Sequence, residues 1–275
     1  MRYGFVMPFG DARQVAEAAW SAEVAGWDGI FVWEPVWGVD PWVALTAAAM
    51  MTQRIRLGTM LSPIARMRPW KLASETATLD NLSGGRVILG VGLGAPDVGY
   101  AAFGEVTDRK LRAELTDEGL AILTGLWAGQ PFSFSGKHYS ITPSDFSPPP
   151  PPIQHPRIPI WVVGMWPYAQ SLRRALRYDG LIPSARDIGG PSRQATLDEL
   201  RTIGAYIADQ RSAERPFDVI IEGTTPGDDT ASAIAQIAPW FAAGATWWLE
   251  TCWSISHDGE GMPAVRRRIA QGPPR

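Results

Sequence analysis

Short apolar runs alternate with longer amphipathic stretches along the whole chain, which is the pattern of strands and helices in a parallel sheet. Tyr3–Met7 reads as a first strand. Asp11 caps a helix running to about Ala25 and ended by Gly26. Gly29–Trp33 is a second strand, stopping at Glu34-Pro35. The next helix opens with Pro41, a residue suited to a first helical turn. Ile55–Met60 is the third strand and Lys71–Leu82 a helix closed by Gly84-Gly85. Val87–Gly92 is the fourth strand, almost unbroken in its apolar character, as in a strand buried on both faces. An excursion follows from Ala95 to about Lys110, then an amphipathic helix over Leu111–Trp127. Phe132–Tyr139 alternates as a hairpin would, and Pro148 to Pro152 form a stiff polyproline strap. Ile158–Val163, Gly180–Pro183, Phe217–Glu222 and Thr246–Trp253 are strands five to eight. Helices at Tyr168–Arg177, Thr196–Asp209, Asp229–Ala243 and Pro263–Gln271 accompany them. Eight strands alternating with eight helices predict a closed (β/α)8 TIM barrel, one domain over 1–275, rather than an open doubly wound sheet.

Composition agrees with that architecture. The chain has 275 residues and a barrel typically takes about 250. Hydrophobic residues make up 45%, enough for a large core. The net charge is −3 with both signs dispersed, so no nucleic-acid footprint is expected. Arg266 to Arg268 read as the exposed face of the last helix. The single cysteine, Cys252, lies in an apolar run and reads as a core residue rather than a nucleophile. No signal-peptide pattern opens the chain and no apolar run spans a bilayer, so a soluble cytoplasmic protein is expected. Thirteen tryptophans is a high count for this length. Trp33, Trp37, Trp161, Trp166 and Trp253 fall near strand ends; they either pack the core or wall a pocket for a flat apolar ligand.

The C-terminal ends of barrel strands carry function, and candidates there are limited in kind. Gly92 and Gly94 leave bare backbone after strand four, either for close approach of a ligand or for a tight turn. Glu34, Asp40, Glu222 and Glu250 lie at or near strand ends. A carboxyl among aromatic side chains acquires a raised pKa and can serve as acid or base; the competing role is a salt bridge or cap. Glu34, between Trp33 and Trp37, ranks first and Glu250, after Trp247-Trp248-Leu249, second. His257 follows strand eight and is a third candidate, whereas His138 and His155 flank the hairpin and strap. No nucleophile elbow, paired-cysteine spacing or His-Glu-x-x-His is present, so hydrolase and zinc readings have no support.

Several segments also resemble the luciferase-like flavin-dependent oxidoreductases, which use FMN or the deazaflavin F420. Glu23-Val-Ala-Gly-Trp-Asp-Gly-Ile-Phe-Val-Trp-Glu34, Asp40-Pro-Trp and Arg54-Ile-Arg-Leu-Gly-Thr59 resemble the family's first units. Leu79-Asp-Asn-Leu-Ser-Gly-Gly-Arg-Val-Ile-Leu-Gly-Val-Gly-Leu-Gly94 is the most specific stretch. Pro159-Ile-Trp-Val-Val-Gly164 and Asp179-Gly-Leu-Ile-Pro183 resemble strands five and six.

The resemblance implies a TIM barrel with the cofactor ring over the strand ends. Thr59, Met60, Leu61 and Ser62 would pass under the ring, with a non-proline cis peptide at Met60–Leu61. Gly92 and Gly94 would border the ring, and the amides of Gly164, Met165 and Trp166 would face its phosphate tail. Many relatives have a small polar pair where this chain has Gly-Met-Trp-Pro; Tyr168, Ser171, Arg109 or Arg112 would then substitute. Asp80 and Arg86 belong to the family pattern but fall on the opposite, stabilising face. The implied activity is an FMN-dependent monooxygenase acting on a small organic substrate with oxygen. The alternatives are an F420-dependent enzyme exchanging hydride without oxygen, and a barrel that binds flavin or ligand without turnover. A separate flavin reductase or F420-reducing enzyme, and association as a homodimer, are further expectations of the resemblance.

Overall fold

The structure is a computed structural model and describes residues 1–143, 148–187, 190–212, 215–255 and 261–275. Along the chain run β1 (Arg2–Val6), α1 (Ala12–Val24), β2 (Gly29–Val32), α2 (Pro41–Met51), β3 (Arg56–Thr59), β4 (Ser62–Pro63), α3 (Pro69–Ser83), β5 (Val87–Gly92) and α4 (Arg109–Ala128). There follow β6 (Phe134–Ser135), β7 (Ser140–Ile141), β8 (Ile160–Trp166), α5 (Ala169–Leu176), β9 (Gly180–Arg186), β10 (Ser192–Gln194) and α6 (Leu197–Gln210). β11 (Asp218–Gly223), α7 (Thr230–Ala242), β12 (Trp247–Thr251) and α8 (Gly261–Ala270) complete it.

Parallel pairing runs β1-β2-β3-β5-β8-β9-β11-β12 and returns to β1, which closes the sheet. This is the eight-stranded barrel that the alternation predicts. Two additions lay outside the sequence reading. The two-residue β4 joins β5 in parallel, and β10 folds back antiparallel on β9. Both are too short for any periodicity to show. β6 and β7 form the expected hairpin.

Local chemistry explains the helix starts. The Asp11 carboxylate accepts from Gln14 N, and the Gln14 side chain accepts from Asp11 N, a reciprocal cap. Asp40 accepts from Val43 N and Pro41 follows it. Thr196 and Glu199 repeat the device at α6. α3 ends on Gly84 at φ 72°, a conformation glycine adopts without strain.

Two apolar layers result. The larger lies between sheet and helices. The smaller fills the barrel with Val6, Phe31, Met60, Ile88, Trp161, Ile182, Ile220, Trp247 and Leu249. Phe31 stacks on Trp161 at 5.3 Å, and Trp247 meets Trp161 edge-on at 5.1 Å. Such bulk fits only because glycines face it: a Cβ on Gly4 or Gly58 would come within 2.6 or 2.7 Å of the Phe31 ring. A large aromatic opposite a missing side chain keeps the interior at close-packed density. Trp161 thus belongs to the core rather than to a pocket wall.

The lower face is held by polar networks. Buried Asp80 accepts from Ile153 N, Gln154 N and Gln154 Nε2 at 2.9, 3.1 and 2.7 Å, pinning the end of the proline strap to α3. Arg86 donates to Thr52 Oγ1 and to the carbonyls of Ala49, Thr52, Ile55 and Ser83. Both roles are structural, as the sequence placed them. Cys252 is buried, and burial pushes its thiol up to about 11, so it is no thiolate nucleophile. One reading needs correction: of the three arginines in α8, Arg268 turns inward and is buried. No helix among the described residues is long and apolar enough to cross a membrane.

Candidate active site

Above the barrel interior a cleft of about 610 Å³ opens over the C-terminal ends of β2, β3, β5, β8 and β9. Its floor is Met60 and Leu61, joined by a cis peptide bond, the non-proline cis bond that the resemblance implied at this position. The Met60 amide donates to Val32 O at 2.7 Å and the Leu61 carbonyl accepts from Glu34 N at 3.4 Å, so β2 holds this turn from both sides. Thr59 lies beneath: its hydroxyl donates across the sheet to Gly90 O at 2.9 Å and does not reach the cleft. Ser62 is buried beside Glu34 rather than on the floor.

Glu34 sits at the edge of this floor. Burial pushes its carboxyl up to about 7, against the opposing pull of Ser62 and Arg66. Glu34 Oε2 and Ser62 Oγ are both buried, and neither completes a hydrogen bond. A carboxyl that titrates near neutral pH at the edge of a cleft suits proton transfer.

The opposite wall is basic and polar. It carries Arg109, Arg112, Ser171, Ser184, Arg186 and Ser192. Arg112 is buried; it donates to the carbonyls of Leu93 and Gly94 at 2.7 and 3.0 Å and so shapes the loop after β5. Arg186 reaches Ser192 Oγ at 3.2 Å, and its Nε is buried without a partner. Arg109 lies over the Tyr168 ring at 5.2 Å. Tyr168 precedes α5 and supplies no side-chain cap, although its carbonyl accepts from Ser171 N at 3.0 Å. Ser171 Oγ accepts from Met165 N at 3.0 Å, which leaves its own proton free to donate. Arginine side chains and a serine hydroxyl thus gather at one corner of the cleft beside the Gly-Met-Trp-Pro segment.

The remaining sequence candidates separate. Met165 lines the cleft. Gly164 does not: its missing side chain makes room for Leu181, with a Cβ there 2.3 Å from Leu181 Cδ1. Trp166 packs on the outer layer. Gly92 gives way to the Leu61 side chain at 2.8 Å, and Gly94, at φ 74°, to the Tyr100 hydroxyl. Their space is therefore taken by the chain's own groups, not left for a ligand, although the Gly94 backbone still borders the cleft. Trp33 and Trp37 wall a second cleft, while Trp253 bonds Glu222. Glu222 faces the mouth with a pKa raised by burial, its Oε2 3.4 Å from Trp253 Nε1. Asp40 is a helix cap.

Glu250 requires correction. Side chains alternate along β12: Trp247 and Leu249 point into the barrel, and Trp248 points out into the sheet–helix layer. Glu250 shares the outward face and is wholly buried. Its carboxylate accepts from Thr225 N at 2.8 Å, Thr225 Oγ1 at 2.9 Å, Trp248 Nε1 at 3.1 Å and Arg268 Nε at 3.1 Å. Every lone pair is engaged, away from the mouth, which makes this a structural ion pair. His257 lies outside the described residues. The sequence reading missed Arg66, Tyr100 and Arg186. Tyr100, whose buried Oη has no partner, comes from the excursion after β5, where no periodicity marks it.

The sequence profile of the luciferase-like monooxygenases matches residues 1–270. A putative coenzyme F420-dependent oxidoreductase of Mycobacterium tuberculosis is 37% identical over 127 residues, which is 46% of this chain and 36% of that protein. An F420-dependent glucose-6-phosphate dehydrogenase of Beutenbergia cavernae is 32% identical over 242 residues, 82% of this chain and 68% of that one. The matched stretches thus span roughly a third to two thirds of these relatives' lengths. Among solved structures, a monooxygenase from Streptomyces bottropensis superposes with a TM-score of 0.78 at 20% identity, covering 98% of this chain and 96% of that chain. An F420-dependent secondary alcohol dehydrogenase, bound to an F420–acetone adduct, gives 0.77 at 17% identity with the same coverage. At such identities these two speak for the fold alone. Matched by the family profile over almost its whole length, the chain belongs to the luciferase-like monooxygenase family.

Proposed function

We propose that this chain is an F420-dependent oxidoreductase that exchanges a hydride with an organic carbinol or carbonyl compound. The observation that carries this reading is Glu34, a carboxyl pushed up to about 7 with an unpartnered Oε2 beside the cis Met60–Leu61 floor. Oxidation of a carbinol requires a group that takes the hydroxyl proton near neutral pH. Three relatives of 30% identity or more are named for F420, which favours it over FMN.

The residues present fit such a cofactor. Apolar side chains floor the cleft. Orphaned polar atoms of Tyr100, Arg112 and Arg186 surround it, as ring carbonyls and phosphate oxygens require. When bound, F420 supplies the site that accepts or donates the hydride. Met60 and Leu61 would support one face of the ring, and Leu93, Val163 and Met165 would exclude water from it. Arg109, Ser171 and the N-terminus of α5 would hold the phosphate, and Arg186 lines the same wall. Glu34 takes the proton from the substrate oxygen in oxidation and returns it in reduction.

FMN-dependent oxygenation is the second reading, favoured by the apolar lining of the same cleft, which suits an oxygen-reactive reduced flavin. Each reading calls for a separate enzyme that resets the cofactor's redox state. Parallel titrations of the purified chain with FMN and F420, oxidised and reduced, decide between them. Saturable F420 binding with weak FMN binding is the expected result. Tight binding of reduced FMN alone would replace the proposal with oxygenation. Cofactor binding without turnover of any carbinol would leave a binding barrel.

A further inference from the structure

A second cleft of about 460 Å³ adjoins the active-site mouth, over the ends of β1 and β2 and between the first turns of α1 and α2. The two clefts share the Trp33 side chain, and consecutive residues serve them: Glu34 faces the first and Pro35 the second. The Trp33 indole is fixed, because its Nε1 donates to Pro8 O at 2.9 Å. It therefore stands as a partition whose edge lies next to the proposed proton-transfer group.

The second cleft is hydrocarbon in character. Met7, Phe9, Val15 and Val39 line it with the Trp33 and Trp37 indoles. Its polar side chains, Asp11 and Gln14, each accept from the other's backbone amide in the α1 cap. No cation among the described residues lines it; the arginines of the mouth stand on the far wall. At its rim Trp37 is 83% exposed, a large apolar surface left in water beside an apolar hollow.

We infer that this side cleft is the subsite for an uncharged hydrocarbon portion of the substrate, an aliphatic or fused-ring tail attached to the carbinol or carbonyl carbon held near Glu34. A sugar phosphate finds no counter-charge here among the described residues, so this specificity differs from that named for the Beutenbergia relative. The inference rests on the reading of the mouth as a hydride-transfer site. Seating the tail beside Trp33 would place the polar head over Met60–Leu61, so tail binding would also orient the reacting carbon.

Ligand-observed NMR titration of the full chain without cofactor, using a series of 2-alkanols, tests the subsite apart from the chemistry. Affinity is expected to rise about fourfold for each added methylene until the cleft is full. In Val39→Trp the new indole occupies the cleft, and this slope should flatten. Val43→Trp, on the exposed outer face of α2, should keep it. Melting curves of both variants report that they fold. A flat series in the parent chain, or an unchanged slope in Val39→Trp, would overturn the inference. F420 turnover of short polar carbinols with a flat series would sink the subsite and spare the activity. A steep, Val39-dependent series with no F420 binding would do the reverse.

Discussion

At the scale of single residues, Glu34 ties activity to a stability cost. Its carboxyl moves from an ordinary 4.5 to about 7 because burial disfavours the charged form. Between those values the folded chain holds more protons than the unfolded one, so this group lowers stability as pH rises through the window, most fully above 7. Glu34→Gln removes the buried charge. Its melting temperature should exceed that of the parent at pH 8, by the equivalent of roughly 1–3 kcal/mol, and match it near pH 4. An equal difference at both pH values would refute the linkage. The same substitution should lower kcat for carbinol oxidation by about 10²–10⁴-fold, with the cofactor Kd within a few-fold. The parent's rate should climb with pH through about 7, as the carboxylate that accepts the proton forms. A variant that keeps both turnover and pH profile would remove Glu34 from the chemistry. The sequence singled out this residue by its aromatic neighbours. What it could not supply was the orphaned Oε2, which depends on Ser62 and Leu61 arriving from another unit.

At the scale of elements, the contact between β12 and α8 turns on one buried pair. Arg268→Ala leaves the Glu250 carboxylate buried and short of a partner, and should cost about 3–5 kcal/mol in urea unfolding. Glu250→Leu with Arg268→Leu should cost much less than the two single changes together; additivity would mean the ion pair does not couple these elements. Gly94→Ala forces a side chain into a φ of 74° and onto the Tyr100 hydroxyl. A lower melting temperature together with weaker cofactor binding is expected, because the loop after β5 borders the mouth. A change in one property without the other would separate that loop from the site. Element boundaries were legible where caps announce them, as at Asp11, Asp40, Thr196 and Gly84. β4 and β10 were not, since two or three residues pair only because a neighbouring strand already stands there. Glu250 was misjudged for a related reason. Strand position was clear, but which face of β12 turns inward is set by the register of the closed sheet.

At the scale of the whole molecule, charge is divided across the mouth: Glu34 on the β2 side, Arg109, Arg112 and Arg186 on the other. Cofactor affinity should therefore fall as salt rises, and Arg109→Ala should both weaken binding, by about tenfold, and flatten that salt dependence. Unchanged affinity in titrations at low and high salt would remove Arg109 from the phosphate corner. The interior follows a whole-molecule logic as well. Phe31 fits because Gly4 and Gly58 come from two other strands, so its surroundings exist only after closure. By itself the sequence determined the eight strand–helix repeats, the caps, the lower-face roles of Asp80 and Arg86, and the cis turn through its family pattern. These depend on short stretches of chain, where hydrophobic period and cap chemistry act locally. Tertiary structure alone decided that the glycines near the mouth admit Leu61 and Tyr100, that Glu250 pairs with Arg268, and that a second, largely apolar cleft lies behind Trp33. Each of these depends on burial and on distances between residues far apart in the chain, which exist only once the barrel has closed.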